Sequence, residues 1–361
     1  MEKELRIEFS NYERTVWVIN SIEGHFRRYY KSMLRYFDRY PKIKVDEKVI
    51  TPDFTVVFAG PYEIVGEVKR ALGKQEGIEK RYSQLKQYDR KLRLRIADGD
   101  TYQHETTNHD ILLLINVEYA RPESKTLQQM LSADREKGAF NRALSVFSTS
   151  YDNQAARSRW VLIWEPDTDK LRDSILPQVQ RLSERHQDRG EPILIYPDEF
   201  TGVQAVHWFC NDNPPSIYVA VVLWSKIFPR LLTAEQRQTW TLDSDCQGSI
   251  DVEVTVDQVV DATRQFVNYP IKTALIKQVL ELLTKPRLTE KRADGKFIIH
   301  FRRLRSGTFD DDDEGEERKL DHVKEMLIRA IARGQLPKKL RPLRIRGRDR
   351  SKEDKNQIQL I

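Results

Sequence analysis

The chain has 361 residues, of which 39% are aliphatic or aromatic and 32% charged, enough apolar material for a substantial core beneath an extensive ionic surface. Lysine and arginine number 61 against 55 acidic residues, a formal charge of +6, and a sequence pI of about 9.0 leans toward an anionic partner such as nucleic acid. No apolar run of about eighteen residues, no secretory signal, no G-x-x-x-x-G-K-S/T and only two cysteines are present. These absences argue against a membrane span, export, an ATP motor and a four-cysteine metal centre, and make the cytoplasm the expected compartment.

Residues 11 to 38 read as one long helix, because Val16, Ile19, Ile22, Phe26, Tyr30, Met33 and Phe37 recur at spacings of three and four until Pro41. Glu23 falls on the apolar face or its edge, where a carboxylate needs a cationic partner or a metal. A helix-edge pair with Arg27 is the simpler of the two. Val49 to Phe58 and Tyr62 to Lys69 read as two strands broken at Gly60-Pro61. Alternation places Val65, Glu67 and Lys69 on one face and Ile64, Gly66 and Val68 on the other. Asp53, opposite in phase to Phe54, Val56 and Phe58, projects toward the same edge as Glu67 if the strands pair. Two carboxylates and an ammonium at one point suit metal-dependent phosphodiester hydrolysis: the acids bind Mg²⁺ or Mn²⁺, and the lysine stabilises growing negative charge and orients water. A same-face salt bridge between Glu67 and Lys69 is the alternative.

Gln75 to Arg95 reads as a helix with Ile78, Tyr82, Leu85 and Leu92 as its buried stripe. Gln84 and Tyr88 share a face, and Lys74, Arg81 and Lys86 belong to a basic track suited to phosphates or to plain solvation. Asp98 to Asn108 is expected to be a loop, with His104 and His109 at the surface. Ile111 to Val117 is expected to be a central strand buried on both faces. Lys125 to Phe147 reads as a helix, Trp160 to Trp164 as a strand, Asp169 to Arg185 as a helix and Pro192 to Tyr196 as a strand, extending a first α/β domain over residues 1–225.

Residues 226–361 form the second expected region. From Val219 the pattern is helical, Ser244 to Ser249 is a linker, and Val256 to Val267 and Ile271 to Leu283 are amphipathic helices. Arg287 to Phe301 follows as a hairpin turning at Asp294-Gly295. Two helices and a basic hairpin follow the order of a winged helix-turn-helix, an order other small α+β domains share. Lys291, Arg292, Lys296, Arg302 and Arg303 make the hairpin region a candidate DNA contact. Asp310 to Glu317 is an acidic loop, His322 to Arg333 returns to helix, and Lys338 to Arg350 is a basic tail.

Pro52-Asp53, then Glu67-Val68-Lys69 fourteen residues after the aspartate, resembles the PD-(D/E)xK nuclease superfamily over roughly residues 10 to 120. Glu23 is similar to the accessory glutamate of Holliday-junction-resolvase-like members, and Gln84-Leu-Lys-Gln-Tyr88 to the Q-x-x-x-Y element of RecB-like members. The resemblance implies a restriction-endonuclease-like α/β fold, a mixed sheet flanked by helices, before the mainly helical C-terminal region. It implies a Mg²⁺- or Mn²⁺-dependent deoxyribonuclease in which Asp53, Glu67 and Glu23 hold metal, Lys69 stabilises charge, and Gln84 and Tyr88 support the site. Restriction, phage defence, transposition and repair are the settings such a layout serves, with DNA, a second copy or a protein as partner. A non-catalytic DNA-binding scaffold with the same fold and an RNA-directed nuclease are the competing readings.

Overall fold

The computed structural model describes residues 1–59, 62–95, 102–106, 108–152, 159–165, 168–169, 193–196, 208–209, 214–236, 250–267, 271–301 and 315–334. The chain is an α/β protein divided into two compact units, Ser10–Pro214, and Met1–Phe9 together with Pro215–Ile361. Helix α1 (Glu2–Tyr29) contributes to both, its residues Glu2–Phe9 to the second unit. The expected boundary at 225 moves to 214 because Ser216–Leu231, apolar along most of its length, packs within the C-terminal unit.

The first unit is built on a seven-stranded mixed sheet in the order β1 (Leu34–Arg39), β4 (Phe54–Phe58), β5 (Glu63–Lys69), β8 (His109–Asn116), β9 (Leu144–Asp152), β10 (Arg159–Trp164) and β11 (Ile193–Ile195). Strands β5, β8 and β9 run parallel, and the flanking pairs are antiparallel. Strands β2 (Ile43–Val45), β3 (Lys48–Ile50), β6 (Leu92–Arg95) and β7 (Tyr102–Thr106) form a smaller sheet. One face of the large sheet carries Val57 and Val65 into a core with Tyr82 and Leu85 of α2 (Gln75–Tyr88) and Leu127 and Leu131 of α3 (Val117–Glu136). The other face meets α1, where Phe26 lies 6.5 Å from Phe37 and 5.8 Å from Phe58 between ring centroids. Gly66 allows this packing. A Cβ there would fall 2.0 Å from the Phe54 ring, which stacks on Phe37.

Several elements differ from the periodicity-based expectations. The helix expected over residues 11–38 ends at Tyr29, and Leu34–Arg39 is instead strand β1 paired with β4. Phe37 satisfies a helical stripe and a buried strand position equally, and the sheet edge decides. Helix α2 stops at Tyr88, so Leu92 is buried in β6, and β7 occupies part of the expected loop. Helix α3 stops at Glu136, and Gly138, with φ of 66°, supplies the left-handed residue that releases the chain into β9.

In the second unit, α4 (Ser216–Val222) passes into a π-helical turn, Leu223–Ile227, and a 3₁₀ turn, Phe228–Leu231. Strand β12 (Asp251–Val254), α5 (Val256–Val267), α6 (Thr273–Thr284), β13 (Thr289–Lys291) and β14 (Phe297–His300) follow. The three strands form an antiparallel sheet in the order β12, β14, β13. Helix α7 (Gly315–Arg333) packs against α4. The Phe9 ring lies 5.2 Å from that of Tyr218, and Arg6 pairs with Glu325. The helix expected after Asp169, the linker Ser244 to Ser249, Arg302, Arg303, most of the acidic run and Lys338 to Arg350 lie outside the described residues. No helix among the described residues is long and apolar enough to cross a membrane.

Candidate active site

Strands β4 and β5 pair antiparallel with Phe54 opposite Gly66, which brings Asp53 at the mouth of β4 beside the end of β5. The Asp53 amide donates to the Gly66 carbonyl at 3.0 Å, and the Val68 amide donates to Asp53 Oδ2 at 2.7 Å. The carboxylate therefore replaces one rung of the ladder and is held rigidly. Lys69 Nζ reaches Asp53 Oδ2 at 3.0 Å and also contacts Glu67 Oε2. One ammonium thus bridges both acids.

Helix α2 closes the group from the side that Glu67 faces. Tyr88 donates its hydroxyl to Glu67 Oε1, and Gln84 Nε2 donates to the same oxygen at 2.9 Å and lies 3.1 Å from the Tyr88 hydroxyl. The spacing of four within α2 places both donors on one face, and the buried stripe Ile78, Tyr82 and Leu85 sets that face against the sheet. Arg81 NH1 donates to Gln84 Oε1 at 3.2 Å, so one exposed cation stands at the rim.

Burial is the largest influence on Glu67 and, with the neighbouring Asp53 carboxylate, pushes its acid up to about 7 against the opposing pull of Lys69 and Tyr88. Burial alone would lower the Lys69 ammonium, but the two carboxylates outweigh it and hold the group above its ordinary value. Burial and Glu67 raise the Tyr88 hydroxyl, which stays a donor. The donor set suits a hard divalent cation. Asp53 Oδ1 takes no protein donor among the described residues, and Asp53 Oδ2 and Glu67 Oε2 already converge on a cation, the lysine ammonium. No group of three or more His, Cys, Asp or Glu suited to a metal stands together among the described residues. Water and substrate oxygens would complete a shell begun by two carboxylates, as Mg²⁺ permits.

Asp53, Glu67, Lys69, Gln84 and Tyr88 are brought together; Glu23 is not among them. Its two oxygens accept from Arg27 Nε and Arg39 Nε, each at 2.6 Å, and Arg39 also donates to Asn20 Oδ1 at 2.8 Å. Helix α1 covers the face of β4 and β5 that carries Phe54 and Gly66, whereas Glu67 points to the opposite face with Val65. Glu23 is thus a buried carboxylate satisfied by two guanidiniums. Of the proposed phosphate contacts, Lys74 is exposed at the start of α2, and Lys86 pairs with Asp134 at 2.8 Å. Lys291 pairs with Glu281 at 2.8 Å and Lys296 with Glu253 at 2.6 Å, leaving Arg292 exposed.

Three supporting residues had no local sequence signal. His109, expected at the surface, is fully buried at the start of β8, and its Nε2 lies 2.6 Å from the Tyr88 carbonyl, capping the end of α2. Burial lowers its imidazole to about 4, so the ring is neutral and Nε2–H is the donor. Asp89 accepts from the Asn141 and Arg142 amides at 2.8 and 2.6 Å. Glu123 of α3 accepts from the Leu72 and Gly73 amides at 2.8 and 3.0 Å, pinning the connection from β5 to α2. No protein-family model matches the chain, and no curated protein or solved structure matches it.

Proposed function

We propose that the chain is a metal-dependent nuclease that hydrolyses phosphodiester bonds of DNA at the Asp53, Glu67 and Lys69 group. The observation that carries this is the lysine ammonium touching carboxylates from two adjacent strands, one of them held by Gln84 and Tyr88. A bound Mg²⁺ or Mn²⁺ would supply Lewis acidity and acidify a water molecule. Asp53 and Glu67 would hold it, Lys69 would stabilise charge on the phosphate, and Gln84 and Tyr88 would keep Glu67 in one rotamer. Glu23 is assigned to the ion pairs that anchor α1, not to the metal. Order and pairing in the second unit, helix, strand, two helices and a two-stranded hairpin, support a winged helix-turn-helix that binds DNA, while a restriction-endonuclease-like core is the corresponding reading of the mixed sheet.

The competing reading is a scaffold in which Lys69 serves as a permanent structural partner to two buried acids, which the closed ion triad favours. Purified protein incubated with supercoiled, linear, branched and single-stranded DNA and with RNA, in Mg²⁺, Mn²⁺ or EDTA, separates the two. Cleavage is expected with metal only, falling at least about a hundredfold in Asp53→Ala, Glu67→Ala and Lys69→Ala with the fold retained. Wild-type cleavage by Lys69→Ala would remove the assignment.

A further inference from the structure

We infer that the carboxyl ends of β5, β8 and β9 carry a second site, on the α1 face of the sheet, that takes one unpaired nucleotide of a single DNA strand. Arg14 and Arg70 hold its phosphate and Tyr151 stacks on its base. The inference rests on the DNA-directed reading above and deepens it, because it names the form of strand that reaches the Lys69 edge. Arg70, Asn116 and Thr149 are neighbours across the ends of the three parallel strands: the Asn116 amide donates to the Arg70 carbonyl at 3.3 Å, and Asn116 is in register with Thr149. Arg14 of α1 closes the row, its Nη2 donating to the Thr149 carbonyl at 2.8 Å and to Thr149 Oγ1 at 2.6 Å. Arg70 Nη1 donates to Asn11 Oδ1 at 3.1 Å, about one turn before Arg14 on the same helix.

Neither arginine forms an ion pair with a carboxylate among the described residues. Burial lowers the Arg14 guanidinium to about 10; exposed Glu118 opposes the shift without pairing, and Arg70 adds to it. A half-buried cation thus stands near a second, exposed one, and a phosphate matches the fork geometry of both. Helix α3, capped by Asn116 Oδ1 accepting from the Glu118 amide at 3.3 Å, starts at the same edge and adds the positive end of its dipole. Tyr151 follows Thr149 by two and shares its face. It is 42% exposed, and its ring rests 5.1 Å from that of buried Trp160, which also lies 5.9 Å from the Arg14 guanidinium. A braced, exposed aromatic ring beside unpaired cations is what single-stranded nucleic acid needs. In a duplex each base face is already stacked on its neighbour, so an unpaired base is the one that can use the ring. Lys69 and Arg70, consecutive at the end of β5, project to opposite faces, so a strand crossing that edge meets the carboxylate site on one side and this site on the other.

The test titrates the full chain, in EDTA to withhold metal, against a labelled single-stranded DNA, the same backbone made abasic, and a closed circular duplex, each at several salt concentrations. The variants are Tyr151→Ala, Tyr151→Phe and Arg70→Gln. Tyr151→Ala is expected to weaken single-strand binding about 5- to 100-fold while leaving the abasic strand and the closed duplex unchanged, and Tyr151→Phe to bind as the parent does. Arg70→Gln is expected to weaken binding of the intact and abasic strands alike and to flatten the salt slope of log affinity by about 0.7. Parental single-strand binding by Tyr151→Ala, an equal loss on the abasic strand, or an unchanged salt slope in Arg70→Gln would each overturn the inference. Metal-dependent cleavage by the parent, with single-strand binding indifferent to Tyr151, leaves the nuclease reading standing and removes this one. Base-dependent single-strand binding through Tyr151 by a chain that cleaves nothing does the reverse.

Discussion

At residue 67 a single carboxylate decides how the site responds to pH. Glu67 is buried beside Asp53, and its acid rises from an ordinary 4.5 to about 7. The folded chain therefore holds this proton more tightly than the unfolded chain. Between about pH 4.5 and 7 the folded state carries more protons, so this group makes stability fall as pH rises. Thermal melts in EDTA across that range are expected to show the decline in the wild-type chain and a flatter profile in Glu67→Gln. Identical slopes would mean that the proton sits elsewhere. His109 acts in the opposite sense: its imidazole is lowered from 6.5 to about 4, so its contribution is present above pH 6.5 and lost as pH falls through 4.

Among the elements, β4 and β5 matter most, because their mutual packing sets the distance between Asp53 and the Glu67 and Lys69 pair. Gly66 is the tightest point. Any Cβ at this position overlaps the Phe54 ring, which is fixed between β5 and Phe37. Gly66→Val is expected to destabilise the first unit by about 1–3 kcal/mol, the usual cost of overpacking, and to shift Glu67 relative to Asp53. Urea denaturation measures the first effect and divalent-metal binding the second. A variant as stable as the parent would show that Phe54 has room to move. The far end of α2 is fastened by His109 and Asp89, and the connection at its start by Glu123, so Gln84 and Tyr88 are placed from both ends.

Across the whole molecule, α1 is shared between two units, its residues Glu2–Phe9 belonging to the C-terminal one. Phe9 is 1% exposed and packs on Tyr218. Phe9→Ala is expected to cost the C-terminal unit about 3–5 kcal/mol while leaving the Asp53 and Glu67 group assembled. Hydrogen exchange is expected to quicken in α4 and α7 and stay slow in β4, β5 and α2. Uniform loss of protection would show that the two units unfold as one.

The sequence by itself determined the α/β class, the two strands around Asp53 and Glu67, the shared face of Gln84 and Tyr88, and the pair of helices with a hairpin near the C-terminus. Each rests on a local period of two or about 3.6, or on a turn dipeptide, which the neighbouring backbone dictates. Tertiary structure alone decided that Leu34–Arg39 and Leu144–Asp152 are strands, since an apolar residue every third or fourth position fits a helix until a sheet edge claims it. It also decided the fate of Glu23 and the lysines of the hairpin. A charged residue has the same sequence signature whether it meets a metal, a phosphate or a guanidinium; Arg27, four residues along the same helix, is a local partner of Glu23, but only the fold brought Arg39 to Glu23, Glu281 to Lys291 and Glu253 to Lys296.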